Sequence, residues 1–276
     1  MRLYIGGIRG SQPCSGLAFA EYGGDTTCLL ILGSQGERLI LDAGTGMHGV
    51  AEQLAPTEPG DVTVLFSHYH LDHIVGLTMN PLFFQSSWSF RFVGPRLDHG
   101  GVQDAITQLL APPYWPVSYE DMDARLTFAE TTDEAMEVGT LQIRGCPISH
   151  PGGCRAYRID DTQTQTALVF ATDLEWQRQS GADKALFLSM CHESYPAQCL
   201  IVDAHFAHAQ AAAFAGWGHT SWEDGLALGQ STGIQQVLLA HHAPAADDQT
   251  LHEHEEQVKM QMPDAAFARA GQWVTV

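Results

Sequence analysis

Short apolar, β-branched runs recur along this chain, and most of them stop where a turn residue, an aspartate or a histidine begins. TTCLLIL, RLILD, DVTVLF, TLQIRG, TALVFAT, CLIVDA, QQVLLA and a terminal QWVTV each have the length and composition of a buried strand. Helical patterns lie between some of them: GVQDAITQLL, SWEDGLALGQS and the more polar DQTLHEHEEQVKMQ. Ser221 followed by Asp224 reads as the capping box of the second helix. Strand–helix alternation of this kind predicts an α/β fold with mixed sheets and helices on the outside. The 276 residues are within reach of one hydrophobic core, so a single domain over 1–276 is expected. Residues 81–124, rich in aromatics and prolines, interrupt the rhythm and are expected to be irregular, as a lid or pocket wall or as a packed loop cluster.

One of these strand ends is unusually dense in metal-binding side chains. SHYHLDH, residues 67–73, follows DVTVLF directly. His68 and His70 are two apart, so in extended backbone their side chains lie on one side, suited to gripping one ion. If the chain turns after Leu71, Asp72 and His73 point at a second ion beside the first, and IVGL opens a helix. A histidine-rich surface loop is the ordinary alternative for any two of these residues, but not for this density behind a buried-type strand. The chemistry that needs it is a pair of ions sharing one nucleophilic water.

More ligands are then required, and further strand ends offer them. His150 follows TLQIRGCPIS, Asp173 follows TALVFAT, and His241, with His242 beside it, follows QQVLLA. Strands deliver functional groups at such ends. Five histidines and two aspartates have the number and hardness for two zinc, manganese or iron ions.

HxHxDH at 68–73, followed by single His, Asp and His residues at strand ends, resembles the metallo-β-lactamase superfamily along nearly the whole chain. GGIRGSQP, YGGDTTC, LDAGTG, HPGGCRAYRID, ATDLEW, GWGHTS and HHAP are similar to the phosphodiesterase branch, which includes ribonuclease Z and phosphoribosyl cyclic phosphodiesterase. The resemblance implies a four-layer αββα sandwich with two mixed β-sheets flanked by helices. It implies that His68, His70 and His150 hold one metal, that Asp72, His73 and His241 hold the other, and that Asp173 bridges them. His241 is preferred to His242 because it comes first after the strand. Where relatives often carry an aspartate after this histidine pair, the chain has Ala243.

Two divalent ions, two aspartates and a shared hydroxide leave a centre of about +1, which attracts a phosphodiester monoanion. Ions about 3.5–4 Å apart acidify the shared water and clamp the attacking and leaving oxygens. Hydrolysis of a small or cyclic phosphodiester is the expected reaction, with Asp72 and His219 as its catalytic residues. His219, in GWGHTS, matches a histidine that acts at the scissile phosphate in ribonuclease Z relatives; packing beside Trp217 and Trp222 is its ordinary alternative. Arg9, Arg155 and Arg158 are weaker candidates for steadying phosphate, Arg158 having Asp160 as a nearby partner. Ser11 and YGGDTTC are candidates for lining the pocket. His205 and His208 are expected to pack locally, and His252 and His254 to sit on a solvated helix.

Charge narrows the partners. Thirteen Lys and Arg against 32 Asp and Glu leave a formal −19, a field that repels duplex DNA and anionic membranes. Processing of tRNA ends would call for a long basic arm, which the sequence lacks. No apolar run is long enough to span a bilayer, no secretory leader is evident, and six scattered cysteines without a CxxC pair fit reduced thiols, so the protein is expected in the cytoplasm. A homodimer is compatible with the fold, though no segment specifies an interface. Two other classes stand beside the phosphodiesterase: thioester or lactone hydrolysis on the same metals, and a non-catalytic metal-binding sensor, whose sign would be a missing ligand.

Overall fold

A computed structural model describes residues 1–276. The chain forms two seven-stranded sheets. The first is built from β1 (Arg2–Gly7), β2 (Cys28–Leu32), β3 (Arg38–Leu41), β4 (Asp61–Leu65), β5 (Ser89–Gly94) and β6 (Arg125–Glu130), which lie in sequence order. The second holds β7 (Met136–Val138), β8 (Leu141–Ile148), β9 (Cys154–Asp161), β10 (Thr166–Ala171), β11 (Cys199–Asp203), β12 (Gln236–Ala240) and β13 (Ala265–Phe267). The last strand, β14 (Gln272–Thr275), returns to pair with β1. Each sheet runs through three antiparallel pairings and then three parallel ones, so β3 and β10 occupy equivalent places at the switch.

Period-two alternation builds the layers. Leu29, Ile31, Leu39 and Leu41 of the first sheet meet Ile159, Leu168, Phe170 and Ile201 of the second in a closed inter-sheet core. Their neighbours Leu30, Ile40, Val62 and Val64 face outward under α1 (Met47–Leu54), which contributes Val50 and Leu54. A short α2 (Leu71–Ile74) starts at the end of the HxHxDH run, and α3 (Val102–Leu109) adds Val102 and Ile106 to the same layer. On the far side, Val169, Leu200 and Val202 are covered by α4 (Gly181–His192), α6 (Trp222–Thr232) and α7 (Asp248–Gln261); α5 (His208–Ala211) is a single turn. The order helix, sheet, sheet, helix is the expected αββα sandwich. Each large apolar side chain taken from water here contributes about 2 kcal/mol.

Residues 81–124 differ from the irregular segment expected of them. They contain β5, which pairs in parallel with both β4 and β6, and α3, which packs beside it. SWSFRFVG was obscured by its aromatic content, yet it alternates as a strand should, with Phe90 and Phe92 buried in the layer under the helices. The prolines at 81, 95, 112, 113 and 116 all fall outside β5 and α3.

Candidate metal centre

Parallel strands of an α/β sheet present ligand sites beyond their carboxyl ends, and the predicted residues gather there. β4 ends at Leu65, and the chain stays extended through His70 before turning into α2 at Leu71. His68 and His70 therefore project together, with ring centroids 4.5 Å apart. The first turn of α2 then presents Asp72 and His73. His150 follows β8, Asp173 follows β10, and His241 follows β12.

The structure brings these seven side chains into one cluster. His70 Nδ1 and His150 Nε2 are 3.0 Å apart. Asp173 is central: its carboxylate lies 3.1 Å from His73 Nε2, 3.3 Å from His241 Nε2, 3.7 Å from His150 Nε2 and 3.9 Å from His68 Nε2. Asp72 lies 3.3 Å from His73 Nε2 and 3.9 Å from His241 Nε2. Potential ligand atoms fall into overlapping groups within 4.8 Å of one another: His68, His70 and His150; Asp72, His73 and His241; His68, His73 and Asp173; and two that include His219, one with His205 and His241 and one with His150 and Asp173.

Four buried atoms in this cluster have no hydrogen-bond partner: His68 Nε2, His73 Nε2, His241 Nε2 and Asp173 Oδ2. Desolvated polar atoms without a hydrogen-bond partner are costly, and four of them gathered at the Asp173 carboxylate fit a cation-binding centre. The opposite edges of the rings are held. His73 Nδ1 lies 2.8 Å from Asp42, His150 Nδ1 is 3.0 Å from Gly218 O, and His68 Nδ1 is 3.1 Å from Ser67 Oγ. Such outer partners fix ring orientation and tautomer in metal sites. The donor set and its bracing fit divalent ions.

Electrostatics suit three of the imidazoles to ligand roles, while His73 carries a proton that a bound cation would replace. Burial, reinforced by neighbouring imidazoles, lowers the pKa of His68, His70 and His241, which keeps them neutral with a lone pair to share. Burial opposes charge on His73, but Asp173, Asp72 and Asp42 overcome it and hold its pKa well above the ordinary value. Burial likewise opposes ionised Asp173, yet His241, His73 and His68 keep the carboxyl far below its usual range.

Backbone geometry shows why particular residues occupy the strand ends. Asp42, Asp173 and His241 have φ of 54°, 60° and 61°, a left-handed conformation that Asp and His tolerate better than most residues. Asp42 follows β3 just as Asp173 follows β10, so the two equivalent switch strands both end in a left-handed aspartate. Glycines admit the rings: a Cβ on Gly10 would lie 2.6 Å from His241 Nε2 and 2.8 Å from His205 Nδ1.

His219 stands beside the cluster, its ring 5.3 Å from that of His150 and 5.0 Å from that of His241. Its Nδ1 lies 3.0 Å from Asp203 Oδ2. Burial works against a charged ring, but Asp203 raises its pKa to about 9. His242 points elsewhere: its Nε2 bonds Ala268 O at 2.8 Å, and its ring packs against Tyr22 and Phe267.

Several expectations need correcting. Arg9 is buried and spends its guanidinium on the carbonyls of Gly23, Ala243 and Ala246. Arg158 pairs with Asp160 and three carbonyls around α4, and Arg155 bonds Gly145 O and Asp133. None of these arginines reaches the centre. Ser11 and Thr27 brace it instead: the Ser11 N–H donates to Asp72 at 2.8 Å, and Thr27 Oγ1 is 3.5 Å from His241 Nδ1. His205 does more than pack locally. It stacks on His219 with centroids 4.3 Å apart, and its Nδ1 lies 2.7 Å from His241 O. His208 is exposed near Asp224, and His252 on α7 is exposed beside Glu256. Sequence reading missed Asp42 and Asp203, whose carboxylates also accept the N–H groups of Ser67 and Asp173. Their signal was available, since LDAG and VDAH each end an apolar run on an aspartate.

Residues 37–242 match the family described as the beta-lactamase superfamily domain, which accounts for most of the chain. The chain belongs to this superfamily. Among curated proteins it is similar to ribonuclease Z of Clostridium acetobutylicum, 23% identical over 136 residues, covering 47% of this chain and 42% of that protein. The chain thus matches less than half the length of that relative. Its fold is shared with the metallo-beta-lactamase fold protein YhfI from Bacillus subtilis (TM-score 0.70, 18% identity, 99% of both chains). It is shared also with a diphosphatase of the PhnP family (TM-score 0.72, 14% identity, 99% of this chain and 97% of that one). Human tRNase Z, short form, has the same architecture (TM-score 0.69, 13% identity, 100% and 99%). The family match places the chain in the superfamily, and the ribonuclease Z similarity is a likeness to its phosphodiesterase branch. No helix is long and apolar enough to cross a membrane.

Proposed function

We propose that the protein hydrolyses a small or cyclic phosphodiester with two divalent ions, zinc foremost and manganese or iron as alternatives. The observation that carries this reading is the convergence of four partnerless buried atoms, from His68, His73, His241 and Asp173, between two groups of candidate ligands. His68, His70 and His150 would hold one ion, Asp72, His73 and His241 the other, with Asp173 between them. When bound, such a pair supplies an acidified water and a clamp for the phosphoryl oxygens. The similarity to ribonuclease Z and the fold shared with a diphosphatase favour phosphorus esters over other substrates.

The chain's own residues supply the rest. Asp72 is oriented by the Ser11 N–H, so its carboxylate keeps one position at the rim. Asp203 occupies His219 Nδ1, which leaves Nε2 to carry a proton toward the leaving oxygen. His205, stacked flat on His219, limits rotation of that ring. Residues 97–114 stand as a wall beside the centre, with Leu97, Leu109 and Tyr114 facing a shared cavity with His68 and His70.

The test gives metal-loaded protein a chromogenic phosphodiester, a thioester and a lactone at equal concentration. Preferential turnover of the phosphodiester supports the proposal. Turnover of the thioester or lactone instead places the protein among the other hydrolases of this fold. Failure on all three leaves a metal-binding sensor.

A further inference from the structure

The cavity that opens on His68 and His70 has a volume of about 340 Å³ and contains no lysine or arginine among its lining residues. Its walls are Ile74, Leu97, Leu109 and Tyr114, with Pro151 and Gly152 beside the metal cluster. Its acidic member, Asp104, is engaged, accepting the Gly101 N–H at the start of α3 at 2.9 Å. Its other polar side chains include His99 and Gln108, both exposed. Such a cavity has the size of a small-ligand pocket and can bury an apolar or aromatic group. It offers no permanent cation to neutralise a second anion, and the protein's charge of −19 opposes one further.

We propose that this cavity receives an uncharged, ring-sized apolar or aromatic arm of the diester, and excludes substrates whose arm bears a second phosphate or a carboxylate. The inference rests on the phosphodiesterase reading and goes beyond it by naming which diesters fit. Selectivity comes from the cost of stripping water from an unpaired negative charge against the half-buried Leu97 and Leu109, with the exposed Tyr114 at the mouth. Only the phosphodiester itself is met by positive charge, at the metal cluster. The arm is held by area and shape, with His99 and Gln108 at hand for neutral polar groups on a ring.

The experiment uses the metal-loaded full chain and a matched pair of phosphodiesters that share a p-nitrophenyl leaving group and differ only in the other arm, a benzyl ring bearing a para-carboxylate in one and a neutral para-carboxamide in the other. Rates are followed by product release. Binding is measured separately by calorimetric titration of the corresponding non-hydrolysable phosphonates. The proposal expects kcat/KM for the neutral ring to exceed that for the carboxylate by at least about tenfold, with the phosphonates ranked the same way. Gln108→Arg, which places a cation in the cavity, is expected to shrink that ratio in both measurements. Equal kcat/KM and equal binding for the two arms overturn it, as does a ratio that Gln108→Arg leaves unchanged. If neither diester is cleaved but the neutral phosphonate still binds more tightly, the hydrolysis reading fails while the preference of the cavity stands. If neither phosphonate binds, the proposal fails.

Discussion

His73 Nδ1 lies 2.8 Å from Asp42 Oδ2, and both side chains are wholly excluded from water. The same carboxylate accepts the Ser67 N–H and hydroxyl at 2.8 Å each, so Asp42 ties the HxHxDH segment to the end of β3. It touches no substrate cavity. Its work is to aim His73 Nε2 at the centre. Asp42→Asn keeps the shape and tolerates the φ of 54°, but removes the negative charge that holds the ring. Metal affinity should fall by about 10–100-fold, read by competition with a chromogenic chelator. Unchanged affinity would make Asp42 a purely structural residue.

His219→Ala separates chemistry from metal binding. If Nε2 of this ring serves the leaving oxygen, kcat should fall by about 100-fold or more while metal content stays at the wild-type value. Loss of an ion in this variant, measured by elemental analysis, would instead make His219 a ligand.

Gly10→Ala tests how tightly the His241 ring is seated. The added methyl carbon would lie 2.6 Å from His241 Nε2 and 2.8 Å from His205 Nδ1, so both rings must shift. Metal content should drop, and the His241 side of the cluster should be the weaker of the two. A variant that binds metal like the wild type would show that the loop at residue 10 yields without disturbing the ring.

Acid sensitivity should arise partly far from the centre. Glu255, buried on α7, accepts hydrogen bonds from Tyr22 at 3.0 Å, from Phe267 N–H at 3.1 Å and from Arg269 at 2.6 Å. Burial disfavours its charge, but Arg269 and Tyr22 outweigh burial and depress its pKa. A depressed carboxyl stabilises the fold above its unfolded value of about 4.3 and ceases to do so as pH falls through the folded value. Glu255→Gln should therefore cost about 2 kcal/mol at neutral pH. The gap should close in thermal melts as pH falls below about 4. A gap independent of pH would contradict the ion-pair account.

Strand ends made much of this architecture readable. DVTVLF, TALVFAT and QQVLLA are apolar enough to be strands without knowledge of the fold, and each leads within two residues to one the cluster uses. Spacing could not distinguish His241 from His242, because the left-handed turn at His241 is set by how β12 meets the loop at Gly10. Asp42 and Asp203 were hidden for a related reason: they act through other residues, and a strand-ending aspartate has many roles. His205 was misjudged because its stacking on His219 joins segments brought together only by packing. In residues 81–124 aromatic density masked a strand, since Phe90 and Phe92 are buried by ordinary alternation rather than by a loop cluster. Arg9 and Arg158 looked available for phosphate only because their carbonyl partners are distant in sequence.

The central claim is that two ions held by these seven side chains cleave phosphodiesters. Its most direct test counts ions by mass spectrometry while following turnover of a chromogenic phosphodiester during stepwise reloading of stripped protein, with His68→Ala as the control. Turnover that rises as two ions bind, and is lost in His68→Ala protein that remains folded, is the predicted result. Two bound ions without turnover, or turnover that survives both stripping and His68→Ala, would contradict it.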